Sequence, residues 1–266
     1  MPSRETIVID AARAGATYAR DHFETVLDVE RKSGKTDLVT DIDRMTQRQI
    51  VSVINEYFPN DEIVGEEEDE RKTVPDEGYA WIIDPIDGTQ NYVHGIPEWV
   101  TSVAVVHDGD PVSCVNVAPA LDERYRSTQR RILRDGQSIS VSDRTDVETF
   151  LVAPTLPWQK SDSEIIGVLS QTIIERFGEL RRTGSAQLTL SMVASGAFDA
   201  AVTLDTVANP WDTVAGVHHV RQAGGVVTDV EGDEWNTDSQ GVVASNGNNH
   251  DAIVEAVQTV LNQPES

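Results

Sequence analysis

The segment Trp81-Ile82-Ile83-Asp84-Pro85-Ile86-Asp87-Gly88-Thr89-Gln90-Asn91-Tyr92 constrains this chain more than any other. Its apolar lead-in reads as a buried strand that delivers Asp84 at its C-terminal end. Pro85 has no N–H to give a neighbouring strand, so the ladder is expected to stop there. Asp87 follows closely, and a tight turn between the two brings both carboxylates to one spot. A short helix opening at Gly88-Thr89 aims its free N–H groups at the same place. Hard cations such as Mg2+ take oxygen ligands, and phosphate takes helix N-termini and metals. One short stretch thus offers ligands for a cation and donors for a phosphate. A lone Asp-x-x-Asp reads more often as a strand followed by an Asx-rich turn, so the rest of the sequence has to decide.

Two further acidic segments stand in comparable settings. Ile63-Val64 leads into Gly65-Glu66-Glu67-Glu68-Asp69. Asn209-Pro210-Trp211-Asp212 opens a stretch of helical composition, Thr213 to Ala223, closed by Gly224-Gly225. Each places a carboxylate at a strand end or a helix start. Taken singly, both have plainer readings. Glu68 and Asp69 fit a solvated charge run, and Asp212 fits a first-turn acid complementing a helix dipole.

Together these segments resemble the inositol monophosphatase family, in the superfamily that also holds fructose-1,6-bisphosphatases and lithium-sensitive nucleotide phosphatases. The first family signature, Asp-Pro-Ile/Leu-Asp-Gly-Thr-x-Asn-Phe/Tyr, stands here as Asp84 to Tyr92. The second, Trp-Asp before a small-residue helix and a Gly-Gly, stands as Trp211-Asp212 to Gly225. The Gly-Glu-Glu is Gly65-Glu66-Glu67, and the upstream Asp-Leu-Val-Thr-x-x-Asp is Asp37 to Asp43. The motifs keep the family's order, and the resemblance spans roughly residues 4 to 262.

The resemblance implies an α+β fold, a layered αβαβα sandwich, and a role for each motif residue. Glu66, Asp84 and the Ile86 carbonyl oxygen would hold one Mg2+. Asp84, Asp87 and Asp212 would hold a second, and a weaker third would sit near Glu66. Such crowded carboxylates repel one another, so the site implies its own cation requirement. Asp43 and Thr89 resemble the pair that positions the nucleophilic water, with Glu66 also in the catalytic set. The Gly88 and Thr89 N–H groups would bind the phosphate. Arg181-Arg182-Thr183-Gly184-Ser185-Ala186 resembles the turn that approaches the ring hydroxyls, which implies substrate contacts for Gly184, Ser185 and Ala186. Ser185 fits a helix cap equally well. Asp205 stands where inositol phosphatases usually carry a Glu that accepts from the cyclitol, and its shorter side chain counts against an inositol preference. Thr128 to Arg134 departs from the family's Gly-x-Gly-Ala. That stretch lines no metal in the family, so the departure bears on substrate fit or the neighbouring loop.

The implied function is hydrolysis of small sugar or cyclitol phosphates, with inositol monophosphate and fructose 1,6-bisphosphate both open. Nucleotide 3′-phosphatases usually carry Lys-Gly after the Thr, whereas Thr89 is followed by Gln90-Asn91. A non-catalytic regulatory member is expected to have lost one of Glu66, Asp84, Asp87 or Asp212, and all are present. A homodimer is also implied.

Composition narrows the setting. Lys+Arg of 21 against Asp+Glu of 45 gives a formal net charge of −24, and only Lys32, Lys35, Lys72 and Lys160 are lysines. A handful of active-site acids does not explain this excess. A solvated acidic surface suited to molar salt does, because screening removes the self-repulsion. Duplex nucleic acid is a poor partner for such a surface. Cys114 is the only cysteine, which excludes an intramolecular disulfide, reads as a small buried residue and fits a reducing cytoplasm. Nothing approaches a membrane span or a signal peptide. A helix splays His218 and His219 about 100° apart, against a shared metal, and His94 reads as a loop histidine.

The periodicities predict helices from Arg4 to His22 and Asp41 to Tyr57, with a polar link through Gly34 between them. Strands are expected at Trp81–Ile83, Thr101–His107 and Val112–Val117, the last two joined by the hairpin signal Asp108-Gly109-Asp110. Further on come strands near Phe150–Ala153, Phe198–Thr203 and Val242–Ala244. They alternate with helices at Ser163–Phe177, Ser185–Ala194, Thr213–Gln222 and Asp251–Leu261. An α+β half, 1–145, therefore joins an α/β half, 146–266, in one rigid unit with the site between them.

Overall fold

The computed structural model describes residues 2–23, 29–33, 37–67, 70–155 and 163–262; for 29–33, 37–40 and 205–207 it describes the backbone alone. Helices α1 (Arg4–His22) and α2 (Asp41–Tyr57) form over the ranges their apolar periodicity predicts. Ile7, Val8, Ala11 and Ala12 of α1 and Ile50 and Ile54 of α2 make one buried face. Between the helices the sequence reads as a polar link, yet β1 (Val29–Ser33) and β2 (Asp37–Thr40) pair antiparallel there. Glu30, Arg31 and Lys32 crowd β1, and β2 spans only four residues, so the apolar alternation that signals a strand is missing.

The larger sheet has seven strands in chain order: β3 (Glu62–Gly65), β4 (Tyr79–Asp87), β5 (Val100–His107), β6 (Asp110–Ala118), β7 (Glu123–Thr128), β8 (Arg131–Arg134) and β9 (Gln137–Ser138). Its β3–β4 pair is parallel and the rest antiparallel. Along β4, Trp81 and Ile83 face α1 and α2 while Ile82 faces the opposite layer. A strand covered on both faces reads as an unbroken apolar run, which is what Trp81-Ile82-Ile83 is. Pro85 does not end the strand as expected. β4 runs on to Asp87 because its register with β5 slips between Asp84 and Asp87, a bulge that removes the need for the missing donor. Thr101 Oγ1 donates to the Pro85 carbonyl at 2.8 Å, which satisfies the bulged backbone. Asp84 and Asp87 are thus brought together by a bulge, not a tight turn. Strands β7 and β8 escaped the sequence reading because they are short and rich in arginine, and β9 because it spans two residues.

The second sheet contains β10 (Leu151–Pro154), β11 (Glu179–Leu180), β12 (Ala200–Val207), β13 (Val226–Thr228) and β14 (Gln240–Ser245), ordered β11-β10-β12-β14-β13. The helices of this half are α4 (Ser163–Arg176), α5 (Ala186–Ala194), α6 (Pro210–Gln222) and α7 (His250–Leu261). Helix α6 opens at Pro210, earlier than the expected Thr213, because proline's fixed φ suits the first helical position. Strands β11 and β13 are too short to leave a pattern.

Side-chain alternation sets the layering. Ala201, Val242 and Ala244 face α5 and α6, whereas Ala200, Val202 and Val243 face α4 and α7. Leu190, Val193, Val214 and Val217 of α5 and α6 also pack on Ile82, Ala104 and Val106 of the first sheet. The order is α1/α2, first sheet, α5/α6, second sheet, α4/α7, an αβαβα sandwich. The middle helical layer therefore touches both sheets, which carries residues of the second half to the end of β4.

Candidate metal centre

Asp84 and Asp87 at the bulged end of β4 meet Asp212 in the first turn of α6, with one carboxylate oxygen from each lying within 4.8 Å of the others. Asp84 is 1% exposed, and its Oδ1 finds no hydrogen-bond partner among the described residues. Burial, then the charges of Glu66, Asp87, Asp212 and Asp43, push its carboxyl well above the usual range. Burial raises Asp87 too, against opposing hydrogen bonds from Ser185, Gln187 and Ala186. Asp212 is raised to about 7 by burial and by Asp87, with Asn209 pulling the other way. An oxygen-only donor set with one orphaned buried oxygen and mutually repelling charges fits a hard divalent cation.

Each carboxylate is held from behind. Asp87 receives Ser185 Oγ at 2.5 Å, the Gln187 N–H at 2.7 Å and the Ala186 N–H at 3.2 Å, so it sits on the N-terminus of α5. Ser185 also caps α5 by accepting from the Leu188 N–H, and it is 2% exposed. The helix-cap reading of Ser185 therefore describes its contacts. Asn209 Nδ2 donates to Asp212 Oδ2 at 2.9 Å. The Glu66 loop is pinned by Gln47, which exchanges two hydrogen bonds with the Glu67 backbone. Lys72 Nζ donates to the Gly65 and Glu66 carbonyls at 2.7 and 2.9 Å. Glu66 is half-buried and acts on Asp84 through its charge.

Gly88 caps α3 (Thr89–Val93) with φ +96, and a Cβ there would stand 3.1 Å from the Glu98 carbonyl and 3.2 Å from Ser185 Cβ. Only glycine meets both demands. Thr89 Oγ1 donates to the Ile86 carbonyl at 3.1 Å. Asp43, on the first turn of α2, is buried and close enough to raise Asp84. Gly184 abuts the Asn91 side chain, whose Nδ2 donates to the Thr183 and Glu98 carbonyls. The Asp205 side chain, Glu68 and Asp69 lie outside the described residues. His218 and His219 are buried in α6 and held neutral, lowered to about 4 and about 3 by burial. His219 bonds Ser191 and the Cys114 carbonyl, and the buried Cys114 thiol is pushed above its usual range. His94 closes α3 with Nδ1 on the Gln90 carbonyl.

The structure thus gathers Asp84, Asp87 and Asp212, sets Glu66 and Asp43 within electrostatic reach, and puts Gly88 and Thr89 at the same strand end. Sequence reasoning overlooked the supports Gln47, Lys72, Thr101 and Gln187. Asn91 stood inside a quoted motif without a role. No local pattern marks the others: Gln47, Thr101 and Gln187 act on segments distant in sequence, and Lys72 reaches back to the Gly65 and Glu66 carbonyls across a loop with no regular spacing.

The sequence profile of the inositol monophosphatase family matches residues 3–262. A Thermotoga maritima protein named fructose-1,6-bisphosphatase/inositol-1-monophosphatase is 37% identical over 244 residues, 91% of each chain. A Bacillus subtilis inositol-1-monophosphatase is 32% identical over 244 residues, again 91% of each. The solved structure of a Thermotoga maritima IMPase superposes with a TM-score of 0.88 at 35% identity, covering 97% of this chain and 98% of that one. With the acidic cluster in place and the match running the length of the fold, the chain belongs to the inositol monophosphatase family.

Proposed function

We propose that this chain is a Mg2+-dependent phosphomonoesterase acting on small sugar or cyclitol phosphates, inositol monophosphate and fructose 1,6-bisphosphate among them. The convergence of Asp84, Asp87 and Asp212 carries this reading. The named activities of the Thermotoga and Bacillus relatives supply the substrate class. Glu66, Asp84 and the Ile86 carbonyl are assigned to one ion, and Asp84, Asp87 and Asp212 to a second, with a weaker third position near Glu66. Bound there, the cations supply Lewis-acid stabilisation of charge on the phosphoryl oxygens.

The remaining roles fall to the chain's own groups. The Gly88 and Thr89 N–H groups donate to the phosphate. Asp43 and Thr89 orient the attacking water: the Thr hydroxyl accepts from the water and donates to the carboxylate, which takes up the proton. In the structure that hydroxyl donates to the Ile86 carbonyl. Gly184, Ala186 and Asp205 are assigned to the substrate side, while the bond from Ser185 to Asp87 makes its part indirect. The reading includes a homodimer and cytoplasmic residence. Among the described residues no helix is long and apolar enough to cross a membrane.

The test is phosphate release from inositol 1-phosphate, fructose 1,6-bisphosphate and adenosine 3′,5′-bisphosphate, in molar KCl with Mg2+ or with a chelator. Release from one or both of the first two, abolished by the chelator, is expected. No release from any, or release indifferent to chelation, refutes the reading.

A further inference from the structure

Gln187 touches both elements that bring metal-ligand candidates together from opposite halves of the chain. It is fully buried. Its backbone N–H donates to Asp87 Oδ2 at 2.7 Å. Its side-chain Nε2 donates to the Trp211 carbonyl at 2.6 Å, and its Oε1 accepts from the Gly216 N–H at 2.7 Å and from Asn116 Nδ2 at 3.1 Å. Trp211 precedes Asp212, and Gly216 lies one helical turn beyond it. The amide therefore brackets the turn of α6 that carries Asp212. This approach depends on Gly216, where a Cβ would stand 2.5 Å from Leu190 Cβ and 3.0 Å from Gln187 Oε1.

Elsewhere α5 and α6 meet mainly through apolar side chains such as Leu190, Val214 and Val217, with one longer bond, Ser191 Oγ to His219 Nδ1 at 3.3 Å, two turns beyond Asp212. Apolar contacts hold two helices together without direction, so they resist sliding poorly. Asp87 and Asp212 repel each other across this contact, and the directional bonds of a buried amide oppose their separation. We propose that Gln187 is a positioning residue that locks Asp212 in register with Asp87, holding the acidic cluster in its ligating arrangement before any cation arrives. The inference rests on the metal assignment above. It goes further in giving the preorganisation to a side chain that touches neither cation nor substrate. Support of this kind sets metal affinity more than it sets the fold.

The experiment is Mg2+ titration by calorimetry on Gln187→Met, which keeps the volume and removes both amide ends. Ser191→Ala serves as the matched lesion in the same buried network: Ser191 Oγ donates to the Gln187 backbone carbonyl, accepts from Asn116 Nδ2 and bonds His219 Nδ1, but it touches neither the Gln187 side-chain amide nor the turn of α6 that carries Asp212. Gln187→Met should weaken Mg2+ binding by about 10–100-fold. Ser191→Ala should lower the thermal midpoint while leaving Mg2+ affinity unchanged. Should Gln187→Met fail to fold, Gln187→Asn carries the same expectation, since it keeps the amide but is too short to reach both Trp211 and Gly216. Parental Mg2+ affinity in a folded Gln187 variant, with affinity lost in Asp212→Asn, overturns the positioning role alone. Parental affinity in Asp87→Asn and Asp212→Asn overturns the metal assignment, and the inference falls with it. Equal loss in Ser191→Ala and Gln187→Met reduces Gln187 to general core support and also overturns the proposal.

Discussion

Replacing Asp212 by Asn should make the metal-free protein more stable and the Mg2+-loaded protein relatively less so. The Asp212 carboxyl is raised from its ordinary 3.8 to about 7, chiefly by burial and by Asp87. A rise of that size corresponds to about 4 kcal/mol against the charged form once both folded and unfolded states are ionised. The sign follows from the raised value. Below pH 3.8 the group is protonated in both states and costs nothing, and the stability is lost progressively as pH rises to about 7. Asp212 is only partly buried and shares its repulsion with Asp87, so about 3 kcal/mol is a better figure at pH 8. Against this, a first-turn acid favours its helix by about 0.5–1 kcal/mol. The bond from Asn209 survives, since Asn keeps an acceptor oxygen. A net gain of about 2 kcal/mol should raise the midpoint by roughly 4–8 °C in a chain of this size. A cation at 100 times its dissociation constant stabilises the parent by about 2.7 kcal/mol. The Asn variant should respond weakly, so the order of midpoints reverses when Mg2+ replaces chelator. Thermal unfolding at pH 8 in both conditions reads this directly. A variant less stable than the parent in chelator shows that the carboxylates are not in costly proximity, and the metal reading loses its electrostatic basis.

Other expectations follow from named groups. Thr89→Val and Asp43→Asn should each lower kcat by about 10²–10⁴ with modest change in KM, and the double variant should be little worse than either. Calorimetry should find Mg2+ affinity barely moved in Thr89→Val but clearly reduced in Asp84→Asn; comparable losses contradict the division of roles. The depressed values of His218 and His219, about 4 and about 3, mean that the unfolded chain takes up protons below pH 6.5 while the folded chain does not. Stability should therefore fall with pH between about 6.5 and 4, by about 1.4 kcal/mol per pH unit for each histidine. Comparing the parent with His219→Gln isolates one such contribution from the opposing titration of the acidic cluster, and identical slopes count against a neutral buried ring. If the net charge of −24 is an adaptation to salt, the thermal midpoint should keep rising into molar KCl, beyond the range near 0.1 M where screening already acts over about 10 Å. A flat midpoint rejects that reading.

Local rules were enough for much of this chain. Amphipathic period and end signals drew α1 and α2 at their observed limits, and the uninterrupted Trp81-Ile82-Ile83 drew a strand covered on both faces. The carboxylates Asp84, Asp87 and Asp212 were legible only together: each alone has a plain reading as a turn or helix-dipole acid, and the ordered motifs that resemble one family singled them out. What tertiary structure decided is how they meet. Pro85 predicts a break, yet the register slip against β5 and the hydroxyl of Thr101 keep the strand whole and fold Asp84 and Asp87 into one bulge. Ser185 was ambiguous between a ligand contact and a cap until Asp87 was seen resting on the N-terminus of α5. Gln187 was invisible, since nothing near it in sequence records that Trp211 and Gly216 lie against its amide. Sequence periodicity reports which face of an element is apolar. It carries no record of hydrogen bonds made across roughly a hundred residues, and in this protein those bonds hold the acidic cluster in place.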